Sequence, residues 1–82
     1  MHIYKVPLVL TYQPEGGYTV TSPLLPELVT EGDTIDEALA NVQDAVQAVV
    51  ELYEDLGKPL PASLRQSPEA DAIRFEYAVA VP

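Results

Sequence analysis

One amphipathic helix, bounded by a start signal at Thr34 and a stop signal at Gly57, constrains the fold more than any other feature. Thr34 is a good N-cap, and Glu37 follows three residues later, as in a capping box. Gly57 favours the left-handed turn that ends helices, and Pro59 prevents the helix from resuming. The apolar residues between these signals recur every three or four positions and so share one side: Ile35, Ala38, Leu39, Val42, Ala45, Val46, Val49, Tyr53 and Leu56.

The other side of this helix is acidic and carries no basic residue: Asp36, Glu37, Asp44, Glu51, Glu54 and Asp55. The last three lie at the end where the helix dipole disfavours negative charge, which costs a few tenths of a kcal/mol each. Lys58 is expected to offset Glu54, four residues before it. Each buried Val or Leu of the apolar side contributes roughly 1.5–3 kcal/mol, so the helix should form despite its charge.

Two interpretations of this acidic side remain open. It is either a solvated surface that keeps the chain soluble, or a docking surface for a basic partner. In the second case, we expect the contacts to come from Asp44, Glu51, Glu54 and Asp55.

Composition limits the classes of partner. The chain has 82 residues and a net charge of −9, and 48% of it is hydrophobic, which predicts a single folded domain over residues 1–82. The excess of acidic side chains argues against direct contact with nucleic acid or an anionic membrane. With no cysteine, no signal-peptide core and no apolar run near the roughly 18–20 residues of a membrane span, we expect a cytoplasmic protein.

Four strands are predicted around the helix, at residues 3–12, 18–22, 27–31 and 72–81. A turn at 13–17 should join the first two as a hairpin. Pro7 is unusual inside a strand, because it cannot donate to a ladder. The last strand places its large apolar residues on one face: Ile73, Phe75, Tyr77, Val79 and Val81.

The resulting order, β-β-β-α-β, predicts an α+β fold in which one helix packs on a four-stranded, mainly antiparallel sheet. Leu60 and Leu64, after the helix, should fold back onto the core. One helix covers only one face of such a sheet. We therefore expect a homo-oligomer, a dimer or a tetramer, that buries part of the second face or pairs an exposed edge.

No pattern of catalytic or ligand-binding residues emerges, so we predict no enzyme activity, no cofactor and no metal. The only histidine, His2, has no metal-ligand partner at a suitable spacing. Ser22, Ser63 and Ser67 have no histidine partner. Glu31 and Asp33 flank Gly32 where a strand leads into the helix, a place where a divalent-metal site can form. Asp33 is, however, also explained by local chemistry at the helix start.

A longer pattern spans residues 17–38. It consists of Gly17-Tyr18, Val20, Pro23, Leu25-Pro26, Thr30, Gly32-Asp33-Thr34 and Asp36-Glu37-Ala38. It resembles the HicB-like antitoxin family, and the likeness extends over about residues 4–81. This chain has Leu24 where the family usually has an acidic residue before Leu-Pro, and Glu27-Leu28 where it usually has Gly-Cys.

The resemblance implies a partial RNase H-like fold and a binding module that neutralises a small, basic HicA-type toxin that cuts mRNA. It does not imply nuclease activity, since the carboxylates form no two-metal arrangement. Many members carry a C-terminal DNA-binding segment, whereas this chain resembles a short form that would capture toxin without repressing its own operon. The alternatives are a stand-alone homo-oligomeric structural or regulatory protein with no toxin partner and, less favoured, a small metal-dependent enzyme.

Overall fold

The predicted helix is present as α1 (Ile35–Asp55) in the computed structural model, which describes residues 2–67 and 69–82. Thr34 Oγ1 accepts a hydrogen bond from the backbone N–H of Glu37 at 3.1 Å, which confirms the predicted N-cap. The reciprocal bond from the Glu37 side chain is not formed within the described residues, so only half of the capping box is present. Gly57 ends the helix with a φ of +64°, as predicted.

Five short strands accompany the helix: β1 (Ile3–Tyr4), β2 (Val9–Tyr12), β3 (Tyr18–Thr21), β4 (Val29–Gly32) and β5 (Arg65–Gln66). β2, β3 and β4 form an antiparallel sheet in that order, and β1 pairs with β5 in a separate antiparallel ribbon. The predicted hairpin is confirmed, because the turn after β2 closes with the Gln13 N–H donating to the Gly17 carbonyl at 3.0 Å.

Pro7 divides the predicted first strand. Residues 3–12 are not one strand but two, β1 and β2, with residues 5–8 between them outside any strand. Since a proline has no N–H to donate and fixes φ, it interrupts a ladder in this way. The even-numbered side chains Tyr4, Val6 and Leu8 still pack against the core, so the predicted face is kept on both sides of the break.

The predicted fourth strand, residues 72–81, is not a strand in this structure. These residues pair with no described strand, and all of them are exposed. The strand after the helix is instead the two-residue β5, which follows a 3₁₀ turn at Ala62–Leu64. The class is α+β as predicted, but two small sheets stand where one four-stranded sheet was expected. We call residues 72–81 the arm.

The core lies between α1, the sheet and the segment after the helix. Leu25, Leu28 and Leu64 are each 1% exposed, and they pack with Val49 and Tyr53 of α1. Leu60 packs against the same cluster, so the predicted return of Leu60 and Leu64 to the core is confirmed.

The helix approaches β4 most closely at Gly32. A Cβ atom built on Gly32 would lie 2.3 Å from the backbone nitrogen of Ala38. Because that neighbour is backbone, no rotation of a side chain could relieve the contact. This glycine therefore lets α1 pack directly over the end of β4.

Two surfaces are left uncovered. On the face of the sheet opposite α1, Val9, Thr21 and Val29 are in register across β2, β3 and β4, and all three are exposed. The arm extends into solvent, and the radius of gyration is 13.8 Å, compared with roughly 12 Å for a compact domain of this length. The molecule thus exposes an apolar sheet face and an apolar segment.

Candidate protein-interaction site

The four predicted contact residues, Asp44, Glu51, Glu54 and Asp55, are all exposed on α1. At 100° per residue, Asp44, Glu51 and Asp55 fall within about 40° of one another around the helix axis. Glu37 lies one heptad before Asp44 and shares the same line. Four carboxylates therefore form a line along the helix, which we call the acidic stripe (Glu37, Asp44, Glu51 and Asp55), and Glu54 lies beside it.

The buried side of α1 determines the direction of the stripe. Ala38, Val49 and Tyr53 are the buried residues of the helix, and they face β3, β4 and the leucine core. The stripe lies more than 90° around the axis from this buried side. Consequently, the stripe faces solvent over about 27 Å, the rise of 18 residues of helix at 1.5 Å each.

None of the stripe carboxylates forms an ion pair with another described residue. The one polar contact in the stripe is weak, with Gln47 Nε2 donating to Glu51 Oε1 at 3.5 Å. The predicted pairing of Lys58 with Glu54 is wrong, because Lys58 Nζ lies 3.7 Å from Glu27 Oε2 instead. The chain folds back after Gly57, which turns Lys58 towards the loop before β4 and leaves the end of the stripe uncompensated.

A polar cluster lies at the C-terminal end of α1, on the side of the helix opposite the stripe. It consists of Lys58, Glu27 and Tyr53. The Tyr53 hydroxyl donates to Glu27 Oε1 at 2.7 Å, and Lys58 Nζ lies 4.7 Å from the centroid of the Tyr53 ring. The Tyr53 hydrogen bond holds the pKa of Glu27 below its usual value, with a smaller contribution from the Lys58 charge. The same hydrogen bond raises the pKa of Tyr53. These contacts fasten the loop at 23–28 to α1.

A groove of about 380 Å³ runs between β1 and α1. Its walls include Tyr4 from β1, and Val46 and Val50 from α1, while Glu51 and Glu54 line it near the acidic side. The sequence did not indicate this groove, because it depends on the distance between β1 and α1, which belong to distant parts of the chain. Glu54, beside the stripe, is therefore also a groove residue.

The remaining candidate residues from the sequence show no arrangement of reactive groups. The His2 ring stacks on Tyr4 with 6.4 Å between centroids, and Ser22 Oγ accepts from the Leu24 N–H at 3.3 Å. The Glu31 carbonyl accepts from Asn41 Nδ2 at 2.7 Å, which ties β4 to α1. No group of three or more metal-ligating side chains occurs in the part of the chain that the structure describes. No helix in that part is both long and apolar enough to cross a bilayer.

Comparison with known proteins identifies the relatives of this chain. No family model matches it. A UPF0150 protein of Thermoplasma acidophilum is 33% identical over 57 residues, which are 70% of this chain and 83% of that protein. Antitoxin HicB of Escherichia coli K12 is 37% identical over 62 residues, or 73% of this chain. Antitoxin HicB 1 of Photorhabdus laumondii is 44% identical over 64 residues, or 76% of this chain. The chain belongs to the HicB-like family.

The two HicB antitoxins are longer proteins. This chain spans 45% of the Escherichia coli antitoxin and 41% of the Photorhabdus one. The HicB-like resemblance seen in the sequence is confirmed, and the relatives are named as HicB antitoxins and as a protein of the UPF0150 group.

Proposed function

We propose that this HicB-like chain is an antitoxin-like binding module that captures a small, basic, mRNA-cleaving HicA-type toxin through the acidic stripe and Glu54. The observation that carries the proposal is the line of exposed carboxylates along α1, which have no cationic partner among the described residues. The names of the HicB relatives support the antitoxin role. Such a role is one of binding and not catalysis, and it places the protein in the cytoplasm, where the toxin meets mRNA.

Charge complementarity gives this surface a physical function. Uncompensated carboxylates attract a cationic protein from a distance and orient it before contact, which raises the association rate. The same carboxylates repel the RNA phosphates that a ribonuclease is built to bind. The stripe would therefore occupy the surface that the toxin uses for RNA, and this chain would make no direct contact with nucleic acid.

Two variants with the same change in net charge test the location of the site. The first carries Glu51→Gln, Glu54→Gln and Asp55→Asn on α1. The second carries Glu15→Gln, Glu69→Gln and Asp71→Asn, which are also exposed but lie away from the helix. The partner is a HicA-type toxin encoded beside this chain's own reading frame, prepared in a catalytically inactive form.

We expect the helix variant to associate with the toxin at least about 10-fold more slowly at low salt, and the control variant to stay close to the unmodified chain. High salt should reduce the difference, because exposed charges are screened. If the association rate fell equally in both variants, net charge alone, and not the position of the carboxylates, would control association. No loss in either would place the contact elsewhere on the molecule.

A second role is favoured by the exposed apolar surfaces. The exposed apolar side chains of the arm are what a chain that self-associates exposes as a monomer. We propose that the chain forms a homo-oligomer, a dimer or a tetramer, whether or not it meets a toxin. If no basic toxin-like reading frame lies beside it, a stand-alone structural or regulatory oligomer becomes the favoured function.

A further inference from the structure

The arm has the pattern of a strand but no partner. Its large side chains alternate with small or charged ones, and those on the apolar face are 46–81% exposed: Ile73, Phe75, Tyr77, Val79 and Val81. No backbone hydrogen bond between the arm and another described residue is formed. An alternating apolar segment of this length is stable as a strand only when a sheet edge supplies its hydrogen bonds.

The edge formed by β1 and β2 is open. Gln13 donates to Gly17 across the hairpin, and bonded pairs alternate in an antiparallel ladder. The backbone groups of Leu10 and Tyr12 therefore point away from β3. Likewise, Lys5 donates to Leu64 at 2.7 Å, so the backbone groups of Tyr4 point away from β5. β1 and β2 each leave an edge unpaired among the described residues, at Tyr4 in β1 and at Leu10 and Tyr12 in β2, with residues 5–8 outside any strand between them.

The opposite edge of the three-stranded sheet is less accessible. The same alternation directs the backbone groups of Glu31 in β4 outwards, and the Glu31 carbonyl is already bonded to Asn41 Nδ2. In addition, α1 packs directly against β4 at Gly32. Of the two edges of the three-stranded sheet, the one at β2 is therefore the more accessible to another strand.

The groove adjoins this open edge. Tyr4 belongs to both, and the far wall of the groove is formed by Val46 and Val50 of α1. A strand added beside β1 and β2 would direct every second side chain towards α1 and into the groove. The apolar face of the arm has the right chemistry to fill it, and Phe75 and Tyr77 have the right size.

We propose that residues 72–81 of one copy add as a strand to the β1–β2 edge of a second copy and bury their apolar face in its groove. Each copy has one arm and one groove, so two copies exchange arms and close a twofold dimer. The inference rests on the self-association proposed above and not on toxin capture. The groove adjoins the acidic stripe and shares Glu51 with it, so arm exchange would cover Glu51 and Glu54 and leave Glu37, Asp44 and Asp55 free.

The size of the contact is sufficient for a stable dimer. Two arms bring four aromatic side chains, which bury roughly 150–250 Å² each. Together with the aliphatic side chains of the arms and the surfaces that they cover, the total reaches the roughly 1,200–2,000 Å² of specific interfaces.

The first test compares two valines of equal exposure by light scattering after size exclusion. Val79 in the arm and Val29 on the open sheet face are each 62% exposed. We expect the unmodified chain to be a dimer, Val79→Asp to weaken dimerisation by at least about 100-fold, and Val29→Asp to leave it unchanged. Circular dichroism should show an intact α1 in both variants, and Phe75→Ser serves as a second arm variant if Val79→Asp does not fold.

The second test asks whether the arm packs on the edge of its own chain or on the edge of a second copy. Val50→Glu blocks the groove but leaves the arm intact, whereas Val79→Asp blocks the arm but leaves the groove intact. Each variant alone should be monomeric. When the two are mixed, with a mass tag on one of them, an intact arm meets an intact groove, and we expect a 1:1 complex to form.

The outcomes separate the proposals. An unmodified chain that stays monomeric at micromolar concentrations would overturn both self-association and arm exchange. A dimer that survives Val79→Asp would keep self-association but reject the arm. Loss of the dimer with no complex on mixing would mean that the arm packs on its own sheet. Toxin binding is measured separately with the charge variants, so a failure of arm exchange is distinguished from a failure of toxin capture.

Discussion

The hairpin of β2 and β3 and the arm have similar sequence patterns but different structures. Both alternate large apolar or β-branched residues with smaller or polar ones. In the hairpin, Val20 is fully buried between the sheet and α1, and its neighbours are paired on both sides. In the arm, Phe75 is 71% exposed and no strand pairs with it.

The difference shows that an alternating pattern specifies which face of a strand is apolar but does not supply a partner. The turn at 13–17 brings β2 and β3 together at little entropic cost, because the loop is short. The arm has no such turn. Its nearest strand in sequence, β5, is two residues long and already pairs with β1. An unpaired segment of this kind is one that an interface can order.

We call residues 2–67 the body. The largest expected loss of stability comes from the substitution of a residue in the core of the body. Leu28→Ala should lower the free energy of unfolding by roughly 2–5 kcal/mol, because Leu28 is buried in the leucine cluster and leaves a cavity. Urea unfolding measures this. Phe75→Ala in the arm, measured where the chain is monomeric, should change the same quantity very little. A loss for Phe75→Ala as large as for Leu28→Ala would mean that the arm belongs to the monomer's core.

The next effect tests the packing of α1 on β4. Gly32→Ala should cost roughly 1–3 kcal/mol, because the added Cβ would clash with the backbone of Ala38 and push the helix away. Gly57→Ala meets no atom within 4 Å, so its cost of about 1 kcal/mol comes only from the positive φ. Thermal unfolding should therefore rank Gly32→Ala below Gly57→Ala. The reverse order would contradict the close approach of helix and strand.

The helix cap gives a smaller effect. Thr34→Ala removes the oxygen that accepts from the Glu37 N–H and should cost about 1 kcal/mol. Thr34→Ser keeps the oxygen and should retain most of the stability. Because the Glu37 side chain does not complete the box, Glu37→Ala should have little effect on urea unfolding. A loss for Glu37→Ala as large as for Thr34→Ala would show that the full capping box forms in solution.

The smallest effect depends on pH. Tyr53→Phe removes the hydrogen bond that lowers the pKa of Glu27 below its usual 4.5. A carboxyl with a lower pKa in the folded state stabilises the fold above its unfolded pKa, and that contribution is lost as the pH falls through the folded value. The melting temperatures of the variant and the unmodified chain should therefore differ at pH 7 and converge as the pH falls through the lowered pKa of Glu27, below its usual 4.5.

The same bond raises the pKa of Tyr53. Its contribution to stability therefore depends on pH in the opposite direction, at high pH. Its contribution is present below the usual value of 10.0 and is lost as the pH rises through the folded-state pKa. A difference in melting temperature that stays constant from pH 3 to pH 7 would exclude the Glu27 bond as its source. Glu27→Gln, which keeps an acceptor for Tyr53 without the charge, should remove the pH dependence.

Elements set by local chemistry could be predicted from the sequence. The ends of α1 follow from Thr34 and Gly57, and the hairpin follows from the glycine-rich turn at 13–17. The exposure of the four contact carboxylates follows from the helical period. Their function as a contact surface stays a prediction.

Features that depend on distant pairings could not be predicted. The partner of Lys58 is Glu27, which is 31 positions away, and no periodicity relates the two. β5 is a two-residue strand in a segment with three prolines nearby, so its sequence has no strand pattern. The groove depends on how β1 packs beside α1, which is far from it in sequence. The strand expected in the sheet, residues 72–81, has the right pattern but is unpaired among the described residues.

Hydrogen exchange of the unmodified chain, measured at protein concentrations below and above its self-association midpoint, tests the contrast between body and arm most directly. The amides of α1 should be protected at both concentrations. Those of residues 73–81, and the outward-facing amides of Tyr4, Leu10 and Tyr12, should exchange quickly when the protein is dilute and slow together when it associates. Arm amides that exchange fast in the associated protein, or that are equally protected in the dilute monomer, would contradict the account.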